Sequence, residues 1–453
     1  MAVHKGVTRR LTAGAIMSIA ALALTACGGG GDDGGSTSAG SIDGVAPATL
    51  TEPTEPVTIT YAGAAYDATQ IKPVIDAFEK AHPNITVSYE AVPFDDFNSV
   101  LAARLTNSSD AIDVFDVDMP RTDAYVARGW LADLTTTFPD LADAVDPGSL
   151  EAATVDDKLV AMPYQTSTNI LYYNKTLLDA AGIATPSADP ADRLTWEEVT
   201  ADAKAAQAAG AQYGVIFDQI DRYYQLEPLA ISAGGGPGAS GDGNLTPDVT
   251  NDGWVKAFDW YGSLFADGLS PRGVAVADTP NMFAAGQSAF YVGGPWWGTQ
   301  FTAEAGLDFG VSAFPAFAGG EASTPTGGWS LGLNPQATAE KANAAAIFMQ
   351  FMGIDDGGYA QYLSALAVPP SNLEGSVKFY DSPTFTDPRF AGVVDLMKYE
   401  LANTSTLRLQ TVGYVEFEDI MTTTFDDIIN GTDAATALAS ASSQLDDAWA
   451  KFQ

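Results

Sequence analysis

Val57-Thr-Ile-Thr-Tyr61, Ile71-Lys-Pro-Val-Ile-Asp-Ala-Phe78, Ile85-Thr-Val-Ser-Tyr89, Phe97 to Leu105 and Ile112-Asp-Val-Phe-Asp-Val117 follow one another with only short breaks, and their order decides the fold. The first, third and fifth stretches have strand lengths and β-branched or aromatic residues at alternate positions. In the second, Ile71, Val74, Ile75 and Phe78 recur at i, i+3, i+4 and i+7, the spacing of one helix face. His82-Pro83-Asn84 closes that helix, because proline biases the residue before it away from helical angles. Phe97–Leu105 reads as a second helix. Strand, helix, strand, helix, strand predicts a mostly parallel sheet with helices on its faces.

Further along, Leu159–Met162 and Ile170–Tyr173 read as strands, and Thr195-Trp-Glu-Glu198 is a capping box ahead of an Ala-rich helix that ends at Gly210. Trp254, Phe258, Tyr261 and Phe265 share a helix face that ends at Gly268. Ser288–Val292 and Ser330–Leu333 are predicted strands, and helical segments near 388–401, 416–429 and 434–451 close the chain. No repeat of solenoid period occurs. The class is α/β throughout, in two lobes.

Upstream of Val57 the chain changes character. Lys5, Arg9 and Arg10 precede an apolar run from Leu11 to Ala26 that ends in Leu24-Thr25-Ala26-Cys27. A basic start, a short apolar core and small residues before a cut describe a secretory signal over residues 1–26, too short and poorly flanked for a resident membrane helix. Leu-Thr-Ala-Cys resembles the bacterial lipobox, which implies that Cys27, the single cysteine, is acylated. Gly28–Gly31 and the Gly/Ser/Asp-rich sequence beyond read as a flexible tether over 27–56. Cleavage after Ala26 leaves 427 of 453 residues, and no later stretch is apolar for the roughly 18 residues a spanning helix needs. One cysteine permits no internal disulfide, so stability rests on the core. After cleavage 18 basic residues face 57 acidic ones, a balance of about −39 that disfavours nucleic acid, anionic lipid and anionic ligands.

Enzymatic chemistry is thinly represented. His4 leaves with the signal and His82 stands at a helix end, so neither histidine is a catalytic candidate. Gly328-Trp-Ser330-Leu-Gly332 satisfies the nucleophile-elbow pattern, but no His follows Ser330 and a strand follows it where a helix is required. Gly236-Pro-Gly238-Ala-Ser-Gly241 matches a dinucleotide loop yet runs into the turn-rich Asp242–Pro247 instead of a helix. No phosphate loop and no His/Cys set for zinc are present. Asp116 and Asp118 remain as a carboxylate pair; at i and i+2 in a strand they share a face, which suits the edge of a polar cleft better than a glycosidase acid and nucleophile.

Aromatic residues gather where strands end. Gly293-Gly-Pro-Trp296-Trp297 follows one predicted strand and Gly327-Gly-Trp329 precedes another. Tyr223-Tyr224 follows Phe217-Asp-Gln-Ile-Asp-Arg, and Tyr164-Gln165 follows Leu159–Met162. In open α/β sheets ligands lie outside the carboxyl ends of strands. A pyranose has an apolar C–H face, which a flat ring covers, and a rim of hydroxyls, which Asp, Asn, Gln and Arg satisfy. A small neutral sugar is the ligand these residues suit.

The same chain resembles the extracellular solute-binding proteins of the maltose-binding type. Val74-Ile-Asp-Ala-Phe78-Glu-Lys-Ala-His-Pro-Asn-Ile-Thr-Val87, Asp113-Val-Phe-Asp-Val-Asp118 with Tyr125 and Gly129-Trp-Leu-Ala-Asp-Leu134, Leu159-Val-Ala-Met-Pro163-Tyr, and Leu171-Tyr-Tyr-Asn-Lys175 carry the similarity. Thr195-Trp-Glu-Glu, Met282-Phe-Ala-Ala-Gly286-Gln-Ser-Ala-Phe, Gly294-Pro-Trp296 and Gly327-Gly-Trp continue it in order. The resemblance implies a periplasmic-binding-protein-like fold with hinge strands between two lobes: 57–163 plus 330–375, and 164–329 plus 376–453. It also implies hinge closure over a sugar and delivery to the permease subunits of an ABC importer; a monomer is expected, and the lipobox, with no later spanning stretch, implies tethering at the outer face of the membrane through lipid only. Carried onto this chain, the ligand positions fall on Tyr66, Asp116, Asp118, Tyr164, Gln165, Asn169, Tyr224, Trp296 and Trp329, with Arg408 and Tyr414 from the last segment; Trp297 joins them on its own placement. Met119-Pro-Arg-Thr-Asp-Ala124 departs from the maltose pattern beside the two aspartates. No cofactor and no metal is expected. A secreted glycoside hydrolase or a sugar sensor would use the same cleft: turnover of glycosides separates the first alternative, and a neighbouring permease gene the second.

Overall fold

Val57–Gly63 and Ile85–Ala91 lie parallel, from Val57 opposite Ile85 to Gly63 opposite Ala91, in the computed structural model, which describes residues 46–105, 111–362 and 368–453. The helix that joins them, Ala68–Ala81, opens on Asp67: its carboxylate accepts the Thr69 and Gln70 N–H groups, and Gln70 Oε1 accepts the N–H of Asp67. Ile71, Val74, Ile75 and Phe78 are its buried face, as their spacing predicts. Val114–Asp118 adds a third parallel strand beside Val57–Gly63. Trp329–Leu333 then pairs antiparallel with Val114–Asp118, and Met162–Pro163 antiparallel with Trp329–Leu333, to complete a five-stranded sheet.

A second sheet of four strands is ordered Phe309–Ser312, Ile170–Asn174, Ser288–Gly293, Tyr213–Phe217. Only the last pair is parallel; the other two neighbours run antiparallel. The chain passes from the first sheet to the second between Pro163 and Ile170. It returns between Ser312 and Trp329 through Thr324–Thr326, which pairs in parallel with Ser405–Leu407 on the final passage.

Each sheet buries its own hydrophobic interior. One core joins Val57, Ile59, Tyr61, Ile71 and Phe78 to Leu331, Phe348 and Met352. Another joins Leu171, Trp196, Phe217, Trp254, Phe258 and Tyr261 to Phe417, Phe425, Leu445 and Trp449. Trp254, Phe258, Tyr261 and Phe265 are all buried on Asp252–Ala266, the face read from their spacing. The closing helices run Val393–Asn403, Tyr414–Ile429 and Ala434–Trp449. Among the described residues no helix is long and apolar enough to cross a membrane.

The folded body begins before Val57. Ala46 and Leu50 pack against the first core, and Thr51 and Asn343 exchange hydrogen bonds of 3.0 and 2.7 Å. Asn84 Nδ2 donates to the Pro53 carbonyl at 2.7 Å, and Glu52 meets His82 at 2.7 Å. The tether expected over 27–56 is therefore corrected at its far end, where residues 50–53 form a strap on the first lobe. Leu50 supplies apolar surface and Pro53 limits the backbone entropy lost on docking, which the Gly/Ser sequence before them lacks. Signal residues 1–26, Cys27 and tether residues up to 45 lie outside the described residues.

Candidate ligand-binding site

Asp116 organises the first lobe's contribution. It lies in Val114–Asp118 with no exposed surface, and four donors surround its carboxylate. Oδ1 accepts the hydroxyls of Tyr61 (2.7 Å) and Tyr164 (3.1 Å); Oδ2 accepts the N–H groups of Ala64 (2.8 Å) and Ala65 (2.9 Å). Burial pushes its pKa up, opposed by these bonds. The carboxylate thereby fixes the Gly63–Tyr66 loop at the carboxyl end of Val57–Gly63. Tyr66, in that loop, donates its hydroxyl to Gln165 Oε1 at 2.5 Å. Asp116→Asn is expected to destabilise the protein by about 1–3 kcal/mol, because an amide nitrogen cannot accept from the loop or the phenols; the denaturation midpoint in urea measures it.

Asp118, two residues on, reaches across the lobes. Arg408 Nη1 and Nη2 donate to its two oxygens at 2.8 and 2.5 Å, a bidentate pair in which both side chains are buried. The Arg408 guanidinium also lies 5.1 Å over the Tyr224 ring. Tyr224 OH receives Asn169 Nδ2 at 2.9 Å and pairs with Ser167 Oγ at 2.9 Å. Asn169 Oδ1 in turn accepts from Gln225 Nε2 at 2.8 Å. A side chain at Gly327 would begin 3.0 Å from Arg408 Nη2, and one at Gly328 would begin 2.0 Å from the Gln165 carbonyl. The Gly327-Gly328 pair is thus what lets the returning strand pass this cluster and deliver Trp329, whose backbone is opposite Asp118.

A second buried pair crosses the same seam. Arg121, just beyond Val114–Asp118, donates from Nη2 to Glu418 Oε2 at 2.5 Å; Glu418 is on Tyr414–Ile429. Arg121 also covers Phe94 at 4.5 Å, and Arg222 of the second lobe approaches the same ring at 5.5 Å. Trp329 meets Phe94 edge-on, 6.0 Å between centroids.

Trp296 and Trp297 follow Ser288–Gly293 in the second sheet, both partly exposed. Trp296 folds back over Gly294, where an added Cβ would lie 1.9 Å from the indole. Its Nε1 donates to Asp218 Oδ2 at 3.2 Å, and Asp218 Oδ1 accepts the Tyr291 hydroxyl at 2.9 Å. Asp218 stands immediately after the strand Tyr213–Phe217. Trp297 packs with the core formed by Tyr172, Phe301 and Phe309. Gly294→Ala is expected to expel the Trp296 ring at a cost of about 1–3 kcal/mol; a changed tryptophan band in near-ultraviolet circular dichroism, with an unchanged far-ultraviolet spectrum, checks it.

Of the expected ligand residues, the structure gathers Tyr66, Asp118, Gln165, Asn169, Tyr224, Trp329 and Arg408 around the passages between lobes. Trp296 is held to Asp218, just past the strand Tyr213–Phe217 of the second sheet. Asp116, Tyr164 and Tyr414 are placed deeper: none has exposed surface, and Tyr414 lies in the second core with its hydroxyl 3.4 Å from Glu418. Tyr223 and Tyr224, read as aromatics beyond a strand end, form the first turn of the helix Tyr223–Ser232. Ser330 is buried within its strand, and Gly236–Gly241 contains the short strand Ala239–Ser240, which pairs with Thr246–Pro247. Phe94, Arg121, Asp218 and Glu418 were not anticipated. Phe94 and Asp218 had a signal, since each stands just past a strand's carboxyl end; the Arg121–Glu418 pair, 297 residues apart, had none.

Residues 74–388 match the family described as bacterial extracellular solute-binding protein, and the chain belongs to that family. Its curated relatives include a binding protein of Brucella abortus (strain 2308), 28% identical over 263 residues, or 53% of this chain and 58% of the relative. A maltodextrin-binding protein of Bacillus subtilis (strain 168) is 27% identical over 260 residues, 56% of this chain and 60% of the relative. The chain thus spans less than two thirds of the length of these relatives. Among solved structures, an ABC substrate-binding protein from Listeria monocytogenes in complex with cycloalternan superposes with a TM-score of 0.74 at 20% identity, covering 87% of this chain and 99% of that one. The likeness establishes the two-lobed α/β fold.

Proposed function

We propose that this protein captures a mono- or oligosaccharide between its lobes and passes it to the permease of an ABC importer, held outside the cell by lipid on Cys27. The observation that carries the reading is the pair of partly exposed indoles, Trp329 from the first sheet and Trp296 from the second. Trp296 lies over Gly294 and donates to Asp218, while Trp329 follows the Gly327-Gly328 pair and lies opposite Asp118 in the sheet, so each indole stands beside a carboxylate at a strand end. The relatives support it: one is named for maltodextrin, another for galactooligosaccharide. The lobes, 57–163 plus 330–375 and 164–329 plus 376–453, move as hinged halves in this reading.

Binding without turnover is favoured over glycoside hydrolysis because the two best-placed acids are engaged. Asp116 is saturated by four donors, and Asp118 is held bidentate by Arg408. A general acid and a nucleophile each need an oxygen free to reach the glycosidic bond. A thermal-shift screen of neutral sugars, followed by calorimetry and chromatography of the recovered sugar, tests the proposal. A raised melting temperature with intact sugar is expected. No shift across the panel, or cleaved sugar, would overturn it.

A further inference from the structure

The geometry points to Asp218 as the positioning residue for Trp296, the group that sets the angle of the indole and so the strength of the second lobe's grip on a sugar ring. This rests on the reading of Trp296 as a ring contact. Asp218 is 2% exposed and is itself fixed, its N–H bonded to the Val292 carbonyl at 2.8 Å. Its two oxygens are divided: Oδ1 serves Tyr291, with Thr279 Oγ1 at 3.5 Å, and Oδ2 serves Trp296. An indole has one polar handle, a donor, and only an acceptor at a fixed point can hold it. Gly294 removes the Cβ that would block the ring, and Asp218 supplies the acceptor that selects one orientation.

The groups facing this carboxylate are phenols, not cations: Tyr291 on its strand, Tyr172 on the neighbouring strand and Tyr224 on the following helix. On its own segment Asp221 and Arg222 follow, paired with each other at 3.3 Å. Burial pushes the Asp218 pKa up to about 6, opposed by the neighbouring Trp297 indole first and then by the Tyr291 phenol, the Trp296 indole and the Thr279 hydroxyl. Protonation removes the charge that strengthens the bond to the indole, so the ring loosens as pH falls through that value.

The test uses the mature protein labelled with 15N at tryptophan. The Trp296 indole resonance is assigned by its loss in Trp296→Phe. In the wild type it is expected to shift with a midpoint near pH 6, and in Asp218→Asn to stay constant, because an amide does not titrate. Calorimetry with maltotriose and with a galacto-oligosaccharide forms the second arm. Asp218→Ala is expected to weaken binding roughly tenfold, and Asp218→Asn to recover most of that loss, since its oxygen can serve the indole while its amide donates to Tyr291. With Phe at 296, Asp218→Ala is expected to cost nothing further. An invariant wild-type resonance overturns the inference, as does an Asp218→Ala loss that persists with Phe at 296. If Asp218→Ala does not fold, the indole titration in the wild type and Asp218→Asn decides alone. Failure of Trp296→Ala to weaken a sugar that binds would instead overturn the assignment of Trp296 to the site, leaving the titration of its indole to be judged separately.

Discussion

Arg408→Ala is expected to loosen the seam between the lobes more than any other single change. Removing one partner of a buried ion pair typically costs about 3–5 kcal/mol, because the remaining charge stays desolvated. Here the stranded group is Asp118, buried and beside Trp329 in the sheet. If the lobes hinge as proposed, opening them returns Asp118 to water. The loss is therefore expected to divide between a lower melting temperature and a larger radius of gyration in solution scattering. Arg408→Met with Asp118→Leu removes both charges and is expected to recover much of the melting temperature while leaving the Tyr224 ring without its cation. A single variant as stable and as closed as the wild type would show that Arg121–Glu418 holds the seam unaided.

Trp296→Ala is the second large effect. Covering an indole face with a pyranose removes about 100 Å² of apolar surface from water, which at ~25 cal/mol per Å² is ~2.5 kcal/mol. Sugar affinity is expected to fall roughly 50- to 100-fold. Stability is expected to fall by only about 1–2 kcal/mol, because buried Asp218 loses one donor while the partly exposed ring, lying over Gly294, is not inside a core. Calorimetry against the sugar found by the thermal-shift screen measures the first, and the melting temperature the second. An unchanged dissociation constant would remove Trp296 from the site. Trp329→Ala is less clean, since Trp329 also packs against the first core and Phe94.

The fates of Asp116 and Asp118 show where sequence reasoning stops. Two residues apart in one strand, they share a face and are the same residue type, so nothing local separates them. The fold gives Asp116 to Tyr61, Tyr164 and a backbone loop, which makes it a support, and gives Asp118 to an arginine 290 residues away. Tyr164 reads as a cleft residue because it follows a predicted strand, and Tyr414 because the family resemblance places contacts in the last segment; both are enclosed.

By itself the sequence determined the alternation of strands and helices, the buried face of Ala68–Ala81, the aromatic face of Asp252–Ala266 and the glycine-flanked tryptophans. Each is set by spacing or steric demand within a few residues, information the linear chain holds in full. Tertiary structure alone decided that residues 50–53 strap onto the first lobe, that Arg408 and Arg121 bind acids across the seam, and that Asp218 takes the Trp296 N–H. Those pairings depend on which distant surfaces three passages of chain bring within hydrogen-bond reach. Distance in space, unlike periodicity, is written nowhere in a local stretch.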